Sequence, residues 1–254
     1  MSLGQIENIV KEFEQIGLNK MDKVQLMNRV DTKFVFTQDH LIKILPSLIK
    51  HYYILQVKGT LISKYESLYY DYENLDFYFN HHRKKLDRYK IRYRKYLSSD
   101  ITFLEVKHKK NGRTDKKRIR VDDMTYEMTS EHAKFISDSG IGKKELIPTL
   151  LNSFSRITFV SKKLDERLTL DVNLAFEWKG NKESIDNIII AELKQNKSQR
   201  NSPFYKLMKS NQLRPLRISK YCIGIIKIYG KSNIKYNRFK KKLLKIKKLQ
   251  NYAA

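Results

Sequence analysis

Charged and apolar residues alternate along several segments of this chain at the spacing of a β-strand. In residues 90–94 (Lys-Ile-Arg-Tyr-Arg) every second side chain is basic, and residues 29–33, 103–107, 167–171 and 191–194 follow the same pattern. Side chains two positions apart lie on one face of a strand. Each segment therefore predicts a strand with one apolar and one charged face. Together they favour a concave surface that holds a polyanion and its metal.

The net charge of +25 narrows the classes of partner. No Asp or Glu follows Glu192, so the basic excess is concentrated in the C-terminal part of the chain. Such a field attracts nucleotides, polyphosphate, nucleic acid or an anionic membrane, and charge alone does not choose among them. Cys222 is the single cysteine, which excludes an intramolecular disulfide. We expect no signal peptide or membrane span, and hence a cytoplasmic protein.

The order of the patterned segments predicts an α+β fold with about eight mostly antiparallel strands. Residues 1–230 read as a single domain, followed by a basic C-terminal helix or tail at 231–254. An eight-stranded barrel with a polar interior would bury its apolar outer faces under helices. An open sheet with a solvated charged face remains the alternative. Helices are predicted at residues 5–16, 37–50, 74–82, 130–138 and from 203 onward. Residues 221–229 fit either a helix or a strand, and we favour a helix.

Carboxylates on an otherwise basic face need an explanation. They can form cross-strand ion pairs with Arg or Lys, or they can hold a divalent cation that bridges phosphates. Glu192 is the best candidate metal ligand, since it follows the apolar residues 188–191. The lysine-rich tail is a solvated helix. Alternatively, it contacts an anionic membrane surface or a membrane-protein partner, or it guides a polyanion.

These segments, in their order along the chain, resemble the polyphosphate polymerase domain of the VTC (vacuolar transporter chaperone) family. That family belongs to the triphosphate tunnel metalloenzyme, or CYTH-like, superfamily. The matching segments are residues 29–34, 67–71, 89–94, 103–107, 154–156, 167–171, 191–194 and 219–221. The resemblance implies an eight-stranded antiparallel β-barrel tunnel with a basic interior and helices packed outside.

The resemblance also implies a phosphotransferase that uses ATP as substrate, polyphosphate as acceptor and product, and Mn²⁺ or Mg²⁺ as cofactor. No sequence-specific nucleic acid partner is expected. Glu192 would be the metal ligand. The residues that neutralise the transferred phosphate would be Arg92, Arg94, Lys107 and Arg156. The further phosphate-binding residues would be Lys33, Lys90, Arg118, Ser219 and Lys220, with Lys90 added because it shares the strand face of the two arginines.

Two departures from the pattern bear on the reaction. Relatives with triphosphatase activity begin with Glu-x-Glu-x-Lys, whereas this chain has Arg29, Asp31 and Lys33. A base in place of the first acid favours a polymerase over a hydrolase. Phe154 stands where the polymerases often carry a Tyr, so one hydroxyl contact is lost. The alternatives are a metal-dependent inorganic or nucleoside triphosphatase, and a non-enzymatic module that binds polyphosphate or nucleic acid.

Overall fold

A computed structural model describes residues 3–21, 30–142, 144–197 and 199–251. The strands in these ranges are β1 (Gln15–Ile16), β2 (Val30–Thr37), β3 (Tyr52–Leu55), β4 (Ile62–Asp71), β5 (Arg88–Tyr96), β6 (Ile101–Lys110), β7 (Arg113–Val121), β8 (Ile147–Ser161), β9 (Glu166–Trp178), β10 (Asn181–Ile185) and β11 (Ile188–Gln195). The α-helices are α1 (Leu3–Val10), α2 (Leu18–Met21), α3 (Gln38–Ile44), α4 (Asp76–His82), α5 (Ser130–Asp138), α6 (Pro203–Ser210), α7 (Lys220–Tyr229) and α8 (Lys240–Asn251). Short 3₁₀ turns occupy Leu45–Leu48 and Asn237–Phe239.

Eight of the strands form one antiparallel path in the order β2-β11-β9-β8-β4-β5-β6-β7. The predicted α+β fold and its eight-stranded antiparallel sheet are therefore confirmed. Short strands β1, β3 and β10 attach beside this path and were not predicted from the sequence. Residues 15–16, expected at the end of the first helix, instead pair with β3.

The expected closure of the barrel is not found, because no ladder joins β2 to β7 among the described residues. Most of β7 is exposed, and its side chains include Lys116, Lys117, Arg118 and Arg120. Charged side chains are a usual device for protecting a sheet edge from further pairing. The sheet thus keeps an open seam, and β7 behaves as an edge strand.

Apolar side chains on the outer face of the sheet are covered by helices. Phe34 and Phe36 of β2 join Leu168 and Leu170 of β9 in a buried cluster with residues of α1, α3 and α6. A second cluster places Ile136 of α5 against β4, β5 and β6. Burying these alternate residues leaves the charged residues between them on the inner face of the sheet.

Helices α7 and α8 lie at one end of that inner face. Val35 and Ile190 lie two positions from Lys33 and Glu192, respectively, and therefore share their strand faces. Both pack in one cluster with α7 and with Ile246 of α8. This cluster also contains Leu150 and Phe176, whose side chains would both lie 2.5 Å from a Cβ on Gly224 of α7. Any larger residue at position 224 would therefore push α7 away from the sheet.

The C-terminal basic segment forms helix α8, which is attached to the sheet through Ile246. None of the described helices is both long and apolar enough to cross a membrane.

Candidate functional site

The basic residues of β5 lie on the inner face because their neighbours are anchored outside. Ile91 and Tyr93 are fully buried beneath the helices, so Arg92 and Arg94 between them point to the opposite side. In the sheet, Arg92 lies opposite Tyr69 of β4 and opposite a glutamate of β6. The alternation seen in the sequence thus becomes a row of inward-facing cations.

Glu105 of β6 is the first of three inner-face carboxylates that each contact two cations. Its Oε2 accepts hydrogen bonds from Arg92 Nη2 at 2.7 Å and Nε at 2.9 Å, and Lys116 of β7 forms an ion pair with Oε1. The side chain of Glu105 has no exposed surface. Burial alone would raise the pKa of this carboxyl, but Arg92, Arg94 and the neighbouring lysines hold it well below its usual range. Glu105 is therefore ionised and fixes the Arg92 guanidinium.

Asp171 of β9 is the second carboxylate. Arg156 of β8 donates to it in a bidentate arrangement, with distances of 2.5 Å from Nε and 2.8 Å from Nη2. Lys220, the first residue of α7, forms an ion pair with the same carboxylate. Burial opposes ionisation of Asp171, yet the two cations hold its pKa below the usual range. Burial also lowers the pKa of Lys220 to about 7, with Asp171 raising it and Arg156 lowering it.

Glu192 of β11 is the third carboxylate, and it contacts Lys33 and Lys194. Lys194 Nζ lies 2.9 Å from Oε2, while Lys33 on the adjacent strand pairs with Oε1. Burial would raise the pKa of Glu192, but the two lysines hold it well below its usual value. In this arrangement each oxygen of Glu192 already has a cationic partner.

Arg94 differs from these cations because its charge is not balanced. The residue is 8% exposed, and its Nε and Nη2 atoms have no hydrogen-bond partner among the described residues. Its guanidinium carbon lies 4.9 Å from the ring centre of Tyr65, 5.4 Å from Tyr96 and 5.7 Å from Phe154. Aromatic faces attract a cation but do not accept its hydrogen bonds as an oxyanion does. Arg94 therefore presents free donors to an anion on the inner face.

Lys107 and Lys90 add two more poorly neutralised charges. They are directly opposite each other on β6 and β5. Arg92 and then burial lower the pKa of Lys107 well below its usual value, and no ion pair of this side chain occurs within the described ranges. Burial lowers the pKa of Lys90 to about 8. The Lys90 ammonium donates to Ser219 Oγ at 2.9 Å, which is a neutral partner.

A buried aspartate fixes the helix that carries Ser219 and Lys220. Asp71 is fully buried and accepts backbone N–H bonds from Phe77 and Tyr78 at 2.8 and 2.9 Å. It also accepts the hydroxyl of Tyr221, which ties the start of α7 to β4 and α4. Tyr221 stacks on Tyr69 with ring centres 4.9 Å apart, and Tyr69 in turn accepts a 3.1 Å bond from Arg92. The position of Lys220 is thus coupled to that of Arg92.

The structure brings together most of the residues predicted from the sequence. The side chains that converge on the inner face are Lys33, Lys90, Arg92, Arg94, Lys107, Arg156, Glu192, Ser219 and Lys220. Arg118 of edge strand β7 lies directly opposite Glu105 and so belongs to the same face, but it is exposed, with its guanidinium carbon 4.5 Å from the Phe103 ring centre. Arg29 lies outside the described residues. The site residues that were not predicted are Lys116, Lys194, Glu105, Asp171, Tyr69 and Tyr221.

The sequence did contain a signal for three of these residues. Glu105, Asp171 and Lys194 occupy charged positions of the alternating segments, at the same parity as Lys107, Arg167 and Glu192. The pairing of Glu105 with Arg92 and of Asp171 with Arg156 could be read only once the strand register was known. Tyr69 and Tyr221 gave no such signal, because a tyrosine is common on any strand or helix face.

The donor set fits a divalent cation only in combination with a phosphate ligand. No group of three or more His, Cys, Asp or Glu side chains suitable for a metal is found in the ranges that the structure covers. Mg²⁺ is commonly held by one or two carboxylates together with substrate phosphates. Glu192 can supply such a carboxylate if Lys33 or Lys194 moves from it to a phosphate oxygen.

Comparisons with known proteins agree with this geometry. A model of the VTC domain matches residues 28–229. No curated protein matches the chain significantly. Among solved structures, one similar protein is an adenylyl cyclase candidate from Hippeastrum, which is described as having a dominant triphosphatase activity. It is 12% identical to this chain, and the match covers 77% of this chain and 94% of the Hippeastrum chain, with a TM-score of 0.50. A further adenylate cyclase candidate, from Bacillus halodurans, is 12% identical over 76% of this chain and 96% of that one, with a TM-score of 0.49. The chain belongs to the VTC domain family, and its fold, with the sheet open between β2 and β7, resembles that of the Hippeastrum protein.

Proposed function

We propose that this protein is a polyphosphate polymerase that transfers the γ-phosphate of ATP to a growing polyphosphate chain on the inner face of the sheet. The observation that carries the proposal is the excess of buried cations over carboxylates. Glu105, Asp171 and Glu192 each serve two cations, and Arg94 and Lys107 have no carboxylate partner in the described part of the chain. Burying unbalanced charge is costly, so this arrangement is suited to a polyanionic ligand.

The chemistry needs little covalent help from the protein. Phosphoryl transfer depends mainly on positioning the phosphates and on neutralising their charge. Arg94 and Lys107 would bind oxygens of the transferred phosphate, while Arg92 and Arg156 are oriented for it by Glu105 and Asp171. The terminal oxygen of the chain attacks the γ-phosphorus, and ADP leaves with the electrons of the broken P–O bond. A divalent cation bound by Glu192 would further neutralise phosphate oxygens.

Two features favour transfer over hydrolysis. The inner-face carboxylates are engaged with cations, so none of the three is placed as a free base that could activate a water. The anionic end of a phosphate chain needs no such base. In addition, Arg29 replaces an acid of the triphosphatase pattern, so the sequence carries a base instead of an acid two positions before Asp31.

Product analysis separates the candidate reactions. Purified protein is incubated with ATP and Mn²⁺ or Mg²⁺, and the products are resolved on a gel stained for polyphosphate. We expect chains to form with the wild type, and none with Glu192→Ala, which should still bind polyphosphate. The matched control is Glu183→Ala. Glu183 forms an ion pair with Lys227, with 2.6 Å between the charged atoms, and this pair lies outside the site. It should retain full turnover.

Other products would refute the proposal. Release of orthophosphate without chains would identify a triphosphatase. Salt-sensitive anion binding with no turnover of ATP in the presence of either metal would identify a binding module instead.

A further inference from the structure

The basic row of β5 and β6 continues past the proposed transfer site toward one end of the sheet. Beyond Lys90 and Lys107, the next inward positions on these two strands are Arg88 and Lys109, which are directly opposite each other. At the other end, Phe103 lies opposite Arg94, and the last inward pair is Tyr96 opposite Ile101. The same two strands are therefore basic toward one end and carry aromatic and apolar side chains toward the other.

Residues from outside the sheet extend the basic row at that end. Lys242 of α8 is half-buried, with its ammonium 5.1 Å from the ring centre of Phe239, a buried residue that anchors the start of the helix. Burial lowers the pKa of Lys242, and the nearby charges of Lys84 and Arg217 lower it further. Lys109 likewise has its pKa lowered by burial, then by Arg88 and Arg217. Arg217 precedes by two residues Ser219, which Lys90 of β5 contacts at 2.9 Å, so Arg217 lies at the same end of the sheet as these strand cations.

The cations of this extension lack neutralising partners. None of Arg88, Lys109, Arg217 and Lys242 forms an ion pair with a carboxylate among the described residues, and no acid follows Glu192 in the sequence. Arg88 donates only to the backbone carbonyl of Lys85 in those ranges. Solvent reaches part of each of the four side chains. They form an accessible strip of like charge that begins at the inner face and ends on the surface beside α8.

We propose that this strip, defined as Arg88, Lys109, Arg217 and Lys242, binds the polyphosphate chain beyond the reacting phosphates and sets the end of the sheet at which the chain leaves. The inference rests on the proposed function, since it requires phosphates at the inner face. It adds a direction: the chain passes beside α8, while the end lined by Tyr96 and Phe103 is left to the nucleotide. The ligand class is a linear polyphosphate longer than a triphosphate.

The test compares two ligand lengths in matched charge-reversal variants. The strip variant is Arg217→Glu with Lys242→Glu. The control is Lys241→Glu with Lys247→Glu, which changes the net charge equally at exposed positions of the same helix. Binding of tripolyphosphate and of size-fractionated long-chain polyphosphate is measured at about 0.15 M ionic strength, where unspecific attraction is largely screened beyond about 8 Å.

We expect the strip variant to bind the long chain about tenfold more weakly than the control does, because hydrogen bonds to charged groups are lost. Both variants should bind tripolyphosphate within twofold of the wild type. Equal long-chain affinity in the two variants would overturn the inference alone. Failure of the wild type to bind tripolyphosphate would instead overturn the proposed function, and the inference with it.

Discussion

Phosphate binding should be coupled to the protonation of Lys220. Burial lowers the pKa of this lysine to about 7 in the free protein. At pH 8 only about a tenth of it is charged, because the pH lies about one unit above the pKa. An anion bound beside it favours the charged form and raises its pKa. Binding at pH 8 should therefore take up close to one proton at this residue.

The sign of the pH dependence follows from this uptake. Affinity should weaken by up to about tenfold for each pH unit above 7, until the pH reaches the pKa of the bound state. Below pH 7 Lys220 is mostly charged already, so this contribution levels off. Arginine stays protonated throughout this range. The Lys220→Arg variant should therefore bind tripolyphosphate without taking up a proton at this position. Lys90, whose pKa burial lowers to about 8, contributes equally in both proteins.

Calorimetry measures the proton directly. Tripolyphosphate is titrated at pH 8 without metal, in two buffers that differ in ionisation enthalpy, so that the heat difference gives the number of protons taken up. Lys209→Arg, an exposed site on α6, is the matched control and should behave as the wild type. Identical proton uptake by the wild type and Lys220→Arg would refute the placement of phosphate beside Lys220.

Further substitutions test other parts of the site. Arg94→Met should stabilise the free protein by about 1–3 kcal/mol, since it removes buried donors without partners, while abolishing phosphate transfer; a lower melting temperature would show that Arg94 is structurally required. Tyr221→Phe should weaken tripolyphosphate binding by several-fold, because α7 loses its tie to Asp71; unchanged affinity would exclude this coupling. Glu105→Gln should lower kcat/KM for ATP through a less fixed Arg92; an unchanged kcat/KM would contradict that positioning role.

The sequence predicted the face on which the site lies but not how its charges are paired. The alternation predicts that Arg92 and Arg94 lie on one face of the strand and Ile91 and Tyr93 on the other. That assignment needs only the two-residue period of a strand. The pairs depend on contacts between distant segments. Lys33 and Glu192 are 159 positions apart and meet only through the register of β2 and β11.

The placement of α7 and the open edge were likewise beyond the sequence. The bond between Asp71 and Tyr221 spans 150 positions, and neither residue belongs to an alternating basic segment. Residues 116–122 show the alternation of a strand, but nothing in that pattern indicates whether a second partner strand follows. A barrel and an open sheet share the same periodicity, so only tertiary structure separates them.

A crystal structure of the protein with tripolyphosphate would locate the bound phosphates. We expect them on the inner face, with oxygens bonded to Arg94 Nε and Nη2 and within reach of Lys107, Arg156 and Lys220. Tripolyphosphate bound on the outer surface, with Arg94 still lacking an oxyanion partner, would refute an inner-face site for phosphate transfer.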